Sequence, residues 1–252
     1  MKIIVSIKQV PARDSALRVA SGGKWLEDSD LTYEMNEPDA YALEEALQLK
    51  ERLGGEVVVV CAGPERAGQT IREALAKGAD RAIHVQAEEQ ALLDALSTAR
   101  LLASAIQTES PDLVLTGLQS DDLGYGQTGV VLAELLGYSH ATIVMEVEPQ
   151  DNMVRVKREL EDGWFQHVNL PLPAVLTIQS GIKKLRYATL MGIKKAKTKE
   201  VKTVAGSPSA PEMVMDQVYL PQRQKQTLIL SGDANKVAHE LVEKLKFEAR
   251  VL

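Results

Sequence analysis

The sequence is poor in features that mark several common kinds of protein. Its single cysteine, Cys61, excludes an intramolecular disulfide and a cysteine zinc cluster, and it fits a reducing compartment. Aromatic residues make up 4% of the 252 residues, and the net charge of −6 provides no overall basic field for nucleic acid. No apolar run is long enough for a membrane span or a signal peptide. We therefore expect a soluble cytoplasmic protein that neither binds nucleic acid nor inserts into a membrane.

Catalytic groups are also scarce. The four histidines are far apart in the sequence, and no pair has the spacing of one helix face. Cys61 follows a run of valines and has no obvious activating base, so a buried inert thiol is the simpler interpretation. We predict neither a catalytic nor a metal site.

What the chain has is an alternation of apolar runs and amphipathic segments. Up to Gly137 this alternation predicts a parallel sheet with right-handed crossovers and helices on both faces. Strands are expected at 3–7, 57–60, 81–85 and 113–115, and residues 61–64 are expected to end the second strand. The first helix is expected from an Asn36 cap to near Gly54, and the second ends at Gly78. The third helix runs from Ala91 to Ile106, and the fourth ends at Gly137.

Beyond Gly137 the pattern changes. Short strands at 141–147, 153–158 and 164–170 predict an antiparallel extension, and 174–178 returns to the main sheet. Residues 181–200 have no clean period, 205–211 reads as a linker, and a helix follows Ser231. We predict an α/β domain over 1–204 and a linker with a C-terminal arm over 205–252.

The stretch 112–137 predicts a nucleotide site. It reads as a buried strand, a polar glycine-rich loop and a helix whose first N–H groups favour a phosphate. Residues 124–129 also fit G-x-G-x-x-G, but several polar residues separate them from Gly117, and the unit is not the first of the chain. A phosphate-binding helix start is therefore favoured over a Rossmann NAD site or a plain solvent loop.

A second unusual stretch lies at 183–199. Its lysines would ordinarily form a solvated face, but Leu185, Tyr187, Leu190 and Ile193 are interleaved with them. Exposed apolar residues within a basic segment indicate a docking surface.

Taken together, several segments resemble the β subunits of electron transfer flavoproteins. The resemblance covers about residues 1–200 and rests on 5–10, 35–39 leading into 42–46, 74–81, 156–163, 172–177 and 186–190. It implies an adenine nucleotide alpha hydrolase-like α/β fold and an electron carrier without a catalytic site of its own. It also implies a heterodimer with an α subunit, which holds FAD mainly on the α side and receives electrons from dehydrogenases for a membrane quinone reductase or another acceptor.

The same resemblance implies specific residues. AMP would be bound by Ser6, Asn36, Glu37, Pro38, Asp39, Ala62, Asp122, Leu123, Gly124, Tyr125, Gly126, Gln127, Thr128, Gly129 and Val130, and Arg13 and Glu159 would approach FAD. A recognition loop at about 182–200 would dock dehydrogenases through Tyr187, Leu190, Met191, Ile193, Lys194, Lys195 and Lys197, with Leu190 as the anchor. The arm over 205–252 would pack on the α subunit.

Two alternatives stay open. Members that bifurcate electrons carry a second FAD in place of AMP and have an Asp-Gly-Asp-Thr run, whereas residues 123–127 here read Leu-Gly-Tyr-Gly-Gln, closer to the AMP-binding branch. An ATP-binding protein of the universal-stress type would share the sheet and the phosphate site, but such modules lack the 139–200 extension. A catalytic oxidoreductase lacks a visible acid–base pair.

Overall fold

A computed structural model describes residues 1–88, 94–207, 211–222 and 227–251 of the chain. The chain divides into two compact units, Met1–Val218 and Tyr219–Leu252. The first contains both sheets and the helices that cover them, and the second contains one α-helix and a short π-helical turn.

The first unit is built on a nine-stranded sheet. Its strands are β1 (Lys2–Ser6), β4 (Glu56–Gly63), β5 (Arg81–Gln86), β6 (Leu113–Gly117), β7 (Ser139–Gln150), β8 (Met153–Glu159), β9 (Phe165–Pro171), β10 (Ala174–Ile178) and β11 (Val201–Ala205), and a separate hairpin pairs β2 (Gln9–Pro11) with β3 (Tyr33–Met35). The spatial order is β11-β5-β4-β1-β6-β10-β7-β8-β9, parallel from β11 to β7 and antiparallel from β7 to β9. The predicted α/β class and antiparallel extension are confirmed.

Helices cover both faces of this sheet. They are α1 (Glu37–Leu53), α2 (Gly68–Lys77), α3 (Ala95–Gln107) and α4 (Thr128–Leu136). A further helix, α5 (Leu190–Ala196), packs against α2, and α6 (Ala234–Glu243) lies in the second unit. Alternate residues of β1 enter two separate cores: Ile3 and Val5 pack with α1 and α2, whereas Ile4 packs with α3 and α4. Because both faces are covered, the central strands are apolar throughout rather than alternating.

The strand order reverses direction beside β1. The chain runs from β1 to β4 and β5 on one side, then returns through α3 to β6 on the other side. The carboxyl ends of β1 and β6 therefore form a topological switch point, where open α/β sheets bind ligands.

Several predicted elements differ from the structure. The segment Cys61-Ala62-Gly63 does not end the second strand but continues it, because it pairs in parallel with His84 to Gln86. The stretch 181–200, predicted without regular structure, contains α5, and Val201–Ala205 forms an additional edge strand. Residues 89–93 lie outside the described ranges, including the predicted start of α3 at Ala91, and described α3 begins behind Asp94.

The second unit has little burial. None of its described residues, 219–222 and 227–251, is buried. The predicted terminal helix is present as α6, capped by the Asp233 side chain, which accepts from the N–H groups of Asn235 and Lys236. Leu241 and Val242 on this helix are 47% and 49% exposed. Within the described ranges, no helix is both long and apolar enough to cross a bilayer.

Candidate functional site

A crevice lies above the switch point, at the carboxyl ends of β4, β1 and β6. Its walls are the starts of α1, α3 and α4, the loop after β6, and the excursion between β2 and β3. Its lining includes Ser6, Asn36, Asp39, Ala62, Asp122, Leu123, Tyr125, Gly126, Gln127, Thr128 and Gly129 from the predicted nucleotide site. Four segments that are far apart in sequence therefore meet in one concave surface.

Asp39 ties the floor of the crevice together. One carboxylate oxygen accepts the backbone N–H of Lys8 at 2.8 Å, and the other accepts the N–H of Gly117 at 2.9 Å. Gly117 has no room for a side chain, since a Cβ there would lie 2.5 Å from Asp39 Oδ1. Burial is the largest influence on this carboxyl group and raises its pKa to about 7, against the lowering effect of the two N–H groups.

Asn36 stands at the cap position of α1, but its side chain does not cap the helix. Instead, Nδ2 donates to the Gln119 carbonyl at 3.0 Å, and Oδ1 accepts the Asp121 N–H at 2.9 Å. The side chain is 1% exposed. Asn36 thus satisfies backbone groups of the loop after β6 and sets the position of that wall.

The start of α4 is pressed against the ends of two strands. A Cβ on Gly129 would lie 2.5 Å from the Thr177 Cγ2 methyl and 2.7 Å from Thr116 Oγ1. Gln127 precedes the helix without a side-chain cap, so the first N–H groups of α4 are not occupied by a capping side chain. Free donors at a helix start facing a crevice are suited to an anion.

Two cationic side chains that the sequence patterns did not single out also line the crevice. Lys8 Nζ lies 2.6 Å from Asp122 Oδ1, and Arg66 donates to Gln9 Oε1 at 2.7 Å while its guanidinium lies 3.9 Å from the centre of the Tyr33 ring. Both favour an anionic ligand. The only sequence signal was that Lys8 and Arg66 each follow the end of a parallel strand.

The other predicted nucleotide residues lie close by without lining the crevice. Glu37 forms an ion pair with Arg13, and Pro38 packs against Gly117. Gly124 lies in the loop before α4 with φ 64°, and Val130 is half-buried within α4. These positions support the site from behind or at its edge.

The predicted docking residues form an exposed segment around α5, which we call the docking segment (residues 187–197). Tyr187 is 92% exposed, Leu190 88%, Met191 61% and Ile193 47%. Lys194, Lys195 and Lys197 are exposed beside them. Four exposed apolar side chains beside three lysines are uncommon on a surface that contacts only water.

Comparison with known proteins identifies the family. A model of the electron transfer flavoprotein domain matches residues 24–209. The electron transfer flavoprotein subunit β of Bradyrhizobium diazoefficiens is 40% identical over 259 residues, covering 100% of both chains. This chain belongs to the electron transfer flavoprotein β-subunit family.

Other members of this family of electron carriers are similarly close. The β subunit of Methylophilus methylotrophus is 37% identical over 258 residues, covering 96% of this chain and 97% of its own. The human β subunit is 37% identical over 207 residues, which is 81% of each chain. The resemblance seen in the sequence is thereby confirmed at the level of the family.

The two residues predicted near flavin lie in different parts of the fold. Arg13 pairs with Glu37, and its Nη2 lies 3.3 Å from Asp121 Oδ2 beside the crevice. Glu159 ends β8 and accepts from Gln179 Nε2 at 3.0 Å. A shallow concavity contains Glu159, Gln179 and Trp164, which is 72% exposed. The structure does not bring Arg13 and Glu159 into contact.

Two buried titratable groups, Cys61 and His84, lie on the neighbouring strands β4 and β5. Cys61 is fully buried within β4, and burial raises the pKa of its thiol to about 12. His84 is buried, with Nε2 3.0 Å from the Gly63 carbonyl oxygen. A thiol with such a pKa is not a nucleophile at neutral pH.

Proposed function

We propose that this chain is the β subunit of a cytoplasmic heterodimer that carries electrons and holds AMP in the crevice. FAD, when bound, takes up and gives up electrons, and it would be held mainly by an α subunit with help from Arg13 and Glu159. The chain itself would supply no catalytic site. The observation that carries this proposal is the uncapped start of α4 facing a crevice lined by Lys8 and Arg66.

The crevice fits a mononucleotide on physical grounds. Its donor set is the first N–H groups of α4 at Thr128 and Gly129 together with two cations, and this set suits a phosphate. A side chain at Gly129 would collide with Thr116 and Thr177, so glycine lets the start of α4 approach the strand ends closely. In this role Gln127, Thr128 and Gly129 would hold the phosphate, while Asn36 and Asp39 keep the surrounding walls in place.

The docking segment would recognise flavin dehydrogenases, including acyl-CoA dehydrogenases. Leu190 would insert into an apolar pocket of the donor, and Lys194, Lys195 and Lys197 would steer the encounter. Electrons would then pass to a membrane quinone reductase or another acceptor. The unit Tyr219–Leu252 would serve as an arm that packs on the α subunit, and the predicted boundary between domain and arm at 204/205 stays a prediction.

Nucleotide content provides the main test. The chain would be co-expressed with its α subunit, and the nucleotides released by acid from the purified heterodimer would be quantified. One FAD and one AMP per heterodimer would support the proposal. Two FAD would indicate the bifurcating type, and ATP without flavin would indicate a protein of the universal-stress type.

A charge change at the helix start tests the phosphate site directly. Gln127→Glu places a carboxylate where the phosphate is expected, so AMP affinity should fall about tenfold or more while folding is retained. Isothermal titration of the nucleotide-free heterodimer with AMP measures the effect. Gln150→Glu, at the exposed end of β7, is the matched control. Equal affinities in both variants would contradict a phosphate at α4.

A further inference from the structure

Helix α5 of the docking segment is held against α2 instead of protruding as a loop. Ala196 at its end is 3% exposed and belongs to the core shared with α2. At Gly192 the two backbones come so close that a Cβ would lie 2.3 Å from the Ala76 carbonyl oxygen and 3.3 Å from its carbon. Any side chain at position 192 must therefore push α5 away from α2 or distort one of the two helices.

Cationic side chains bind the carbonyls at the ends of both helices. Arg72, on α2, donates through Nη1 to the carbonyls of Ala196 at 2.7 Å and Lys199 at 2.9 Å, just where α5 ends. Lys199 in turn donates through Nζ to the carbonyls of Leu75 at 3.0 Å and Ala79, where α2 ends. Carbonyls at helix ends lack partners within the helix, so the bonds to Ala196 and Leu75 satisfy groups that would otherwise need water.

The entry to α5 is fastened as well. Arg186 lies 2.8 Å from Glu44 Oε2 and 2.6 Å from Glu51 Oε1, both on α1. The Glu44 side chain is 4% exposed, so this ion pair is anchored in the domain. The Thr189 hydroxyl accepts the Gly192 N–H at 3.0 Å and starts the helix. The exposed apolar side chains thus lie between fixed points at 186 and 199.

We propose that α2 positions the docking helix before any partner arrives, with Gly192 and Arg72 as positioning residues for Leu190. The proposal rests on the docking role given above. Because the backbone of α5 is already fixed, binding a partner does not cost the conformational entropy of ordering α5. The affinity for the donor is therefore higher than a mobile loop would allow. Gly192 permits the close approach, and Arg72 holds the end of the helix.

The test uses the FAD-loaded heterodimer and a flavin dehydrogenase that reduces the wild type. Gly192→Ala should raise the KM for the heterodimer about fivefold or more, because Leu190 is displaced, while kcat changes by less than about twofold. Reduction by dithionite should be unchanged. Gly68→Ala is the matched control, since Gly68 opens α2 and a Cβ there meets nothing within 4 Å.

A double-variant cycle separates positioning from general damage. In a Leu190→Ala background, adding Gly192→Ala should change KM by less than about twofold, because the anchor that it displaces is already gone. Arg72→Gln, at an exposed position, should raise KM about threefold and provides the test if Gly192→Ala does not fold.

Three outcomes would count against the proposal, and they are distinguishable. If Leu190→Ala raises KM but Gly192→Ala and Arg72→Gln do not, positioning by α2 is wrong and docking through Leu190 stands. If Gly192→Ala raises KM equally with and without Leu190, its effect does not act through Leu190 and the proposal is overturned. If Leu190→Ala itself has no effect, the docking role is rejected, and the positioning role with it.

Discussion

Asp39 is a buried carboxyl group that connects three segments of the chain. It lies in the first turn of α1 and accepts backbone N–H groups from Lys8, the second residue after β1, and from Gly117, the last residue of β6. The crevice floor therefore depends on one side chain with two acceptor oxygens. Its pKa is raised because burial disfavours the charged carboxylate more than these two hydrogen bonds favour it.

At pH 4, Asp39→Asn should lower the free energy of unfolding by about 1–3 kcal/mol, since both oxygens of the carboxyl group can accept a backbone N–H, whereas the amide keeps one acceptor oxygen and turns an NH2 group toward the other N–H. The pKa of Asp39 is raised from 3.8 to about 7, so between these values the native state holds a proton that the unfolded state has lost. Wild-type stability from this group therefore falls as pH rises from 4 to 7. In urea unfolding, the free energy of unfolding of the wild type should exceed that of Asp39→Asn by less and less as the pH rises from 4 to 7.

The exposed turn residue Asp151 supplies the comparison. Asp151→Asn makes the same chemical change at an exposed turn position away from the crevice, and it should track the wild type across this pH range. A difference between wild type and Asp39→Asn that does not change from pH 4 to 7 would contradict the raised pKa.

At the scale of elements, the start of α3 shows how a cap can join distant segments. Asp94 Oδ1 accepts the Leu96 N–H at 2.8 Å, and Oδ2 accepts the Glu212 N–H at 2.7 Å. The side chain is 3% exposed. One carboxylate therefore both caps α3, a wall of the crevice, and fastens the chain segment that leads to the second unit.

The two roles of Asp94 can be separated. Asp94→Asn keeps an oxygen for the cap but presents NH2 to the Glu212 N–H, so the free energy of unfolding should fall by about 1 kcal/mol. Asp94→Ala also removes the cap, and the loss should grow to about 2–3 kcal/mol. Denaturant unfolding measures both. Equal losses in the two variants would mean that the cap contributes nothing beyond the tie to Glu212.

At the scale of the whole molecule, the second unit contrasts with the first. The unit Met1–Val218 has apolar cores on both faces of its sheet, whereas no described residue of Tyr219–Leu252 is buried. Helix α6 nevertheless has apolar residues, including Leu241 and Val242, at the spacing of one face. An apolar helix face of this kind is typical of a segment that packs against a partner.

Leu241→Asp should weaken assembly with the α subunit about tenfold or more, because it places a charge in the exposed apolar face that is proposed to contact that subunit. Thermal unfolding of the Met1–Val218 unit should be unchanged. Affinity capture of a tagged α subunit and size-exclusion chromatography measure assembly. His239→Asp, which adds the same charge on the opposite side of α6, is the control, and equal assembly of both variants would reject α6 as the contact.

The elements that the sequence predicted correctly are those with a strong local signal. The strand Leu113–Gly117 is an apolar run, and α4 ends at Gly137, which adopts the left-handed conformation that glycine favours. By contrast, α5 has seven residues, too few to show a helical period, and it contains Gly192. It is stabilised by α2 and not by its own propensity, so no local pattern revealed it. No strand was predicted over β11, because its residues Val-Lys-Thr-Val-Ala do not alternate strictly between polar and apolar, and its last residue, Ala205, was predicted to begin the linker.

By itself, the sequence determined the α/β class, the helix start at 126–129 and the family, because periodicity, turn residues and motifs are written locally along the chain. Only the tertiary structure decided what surrounds that helix start. Lys8 and Arg66 enter the crevice because β1 and β4 end beside it, and Asn36 leaves its cap role because the loop after β6 approaches it. Contacts between segments depend on strand order and packing, and these arise from burial of the whole sheet rather than from any single stretch.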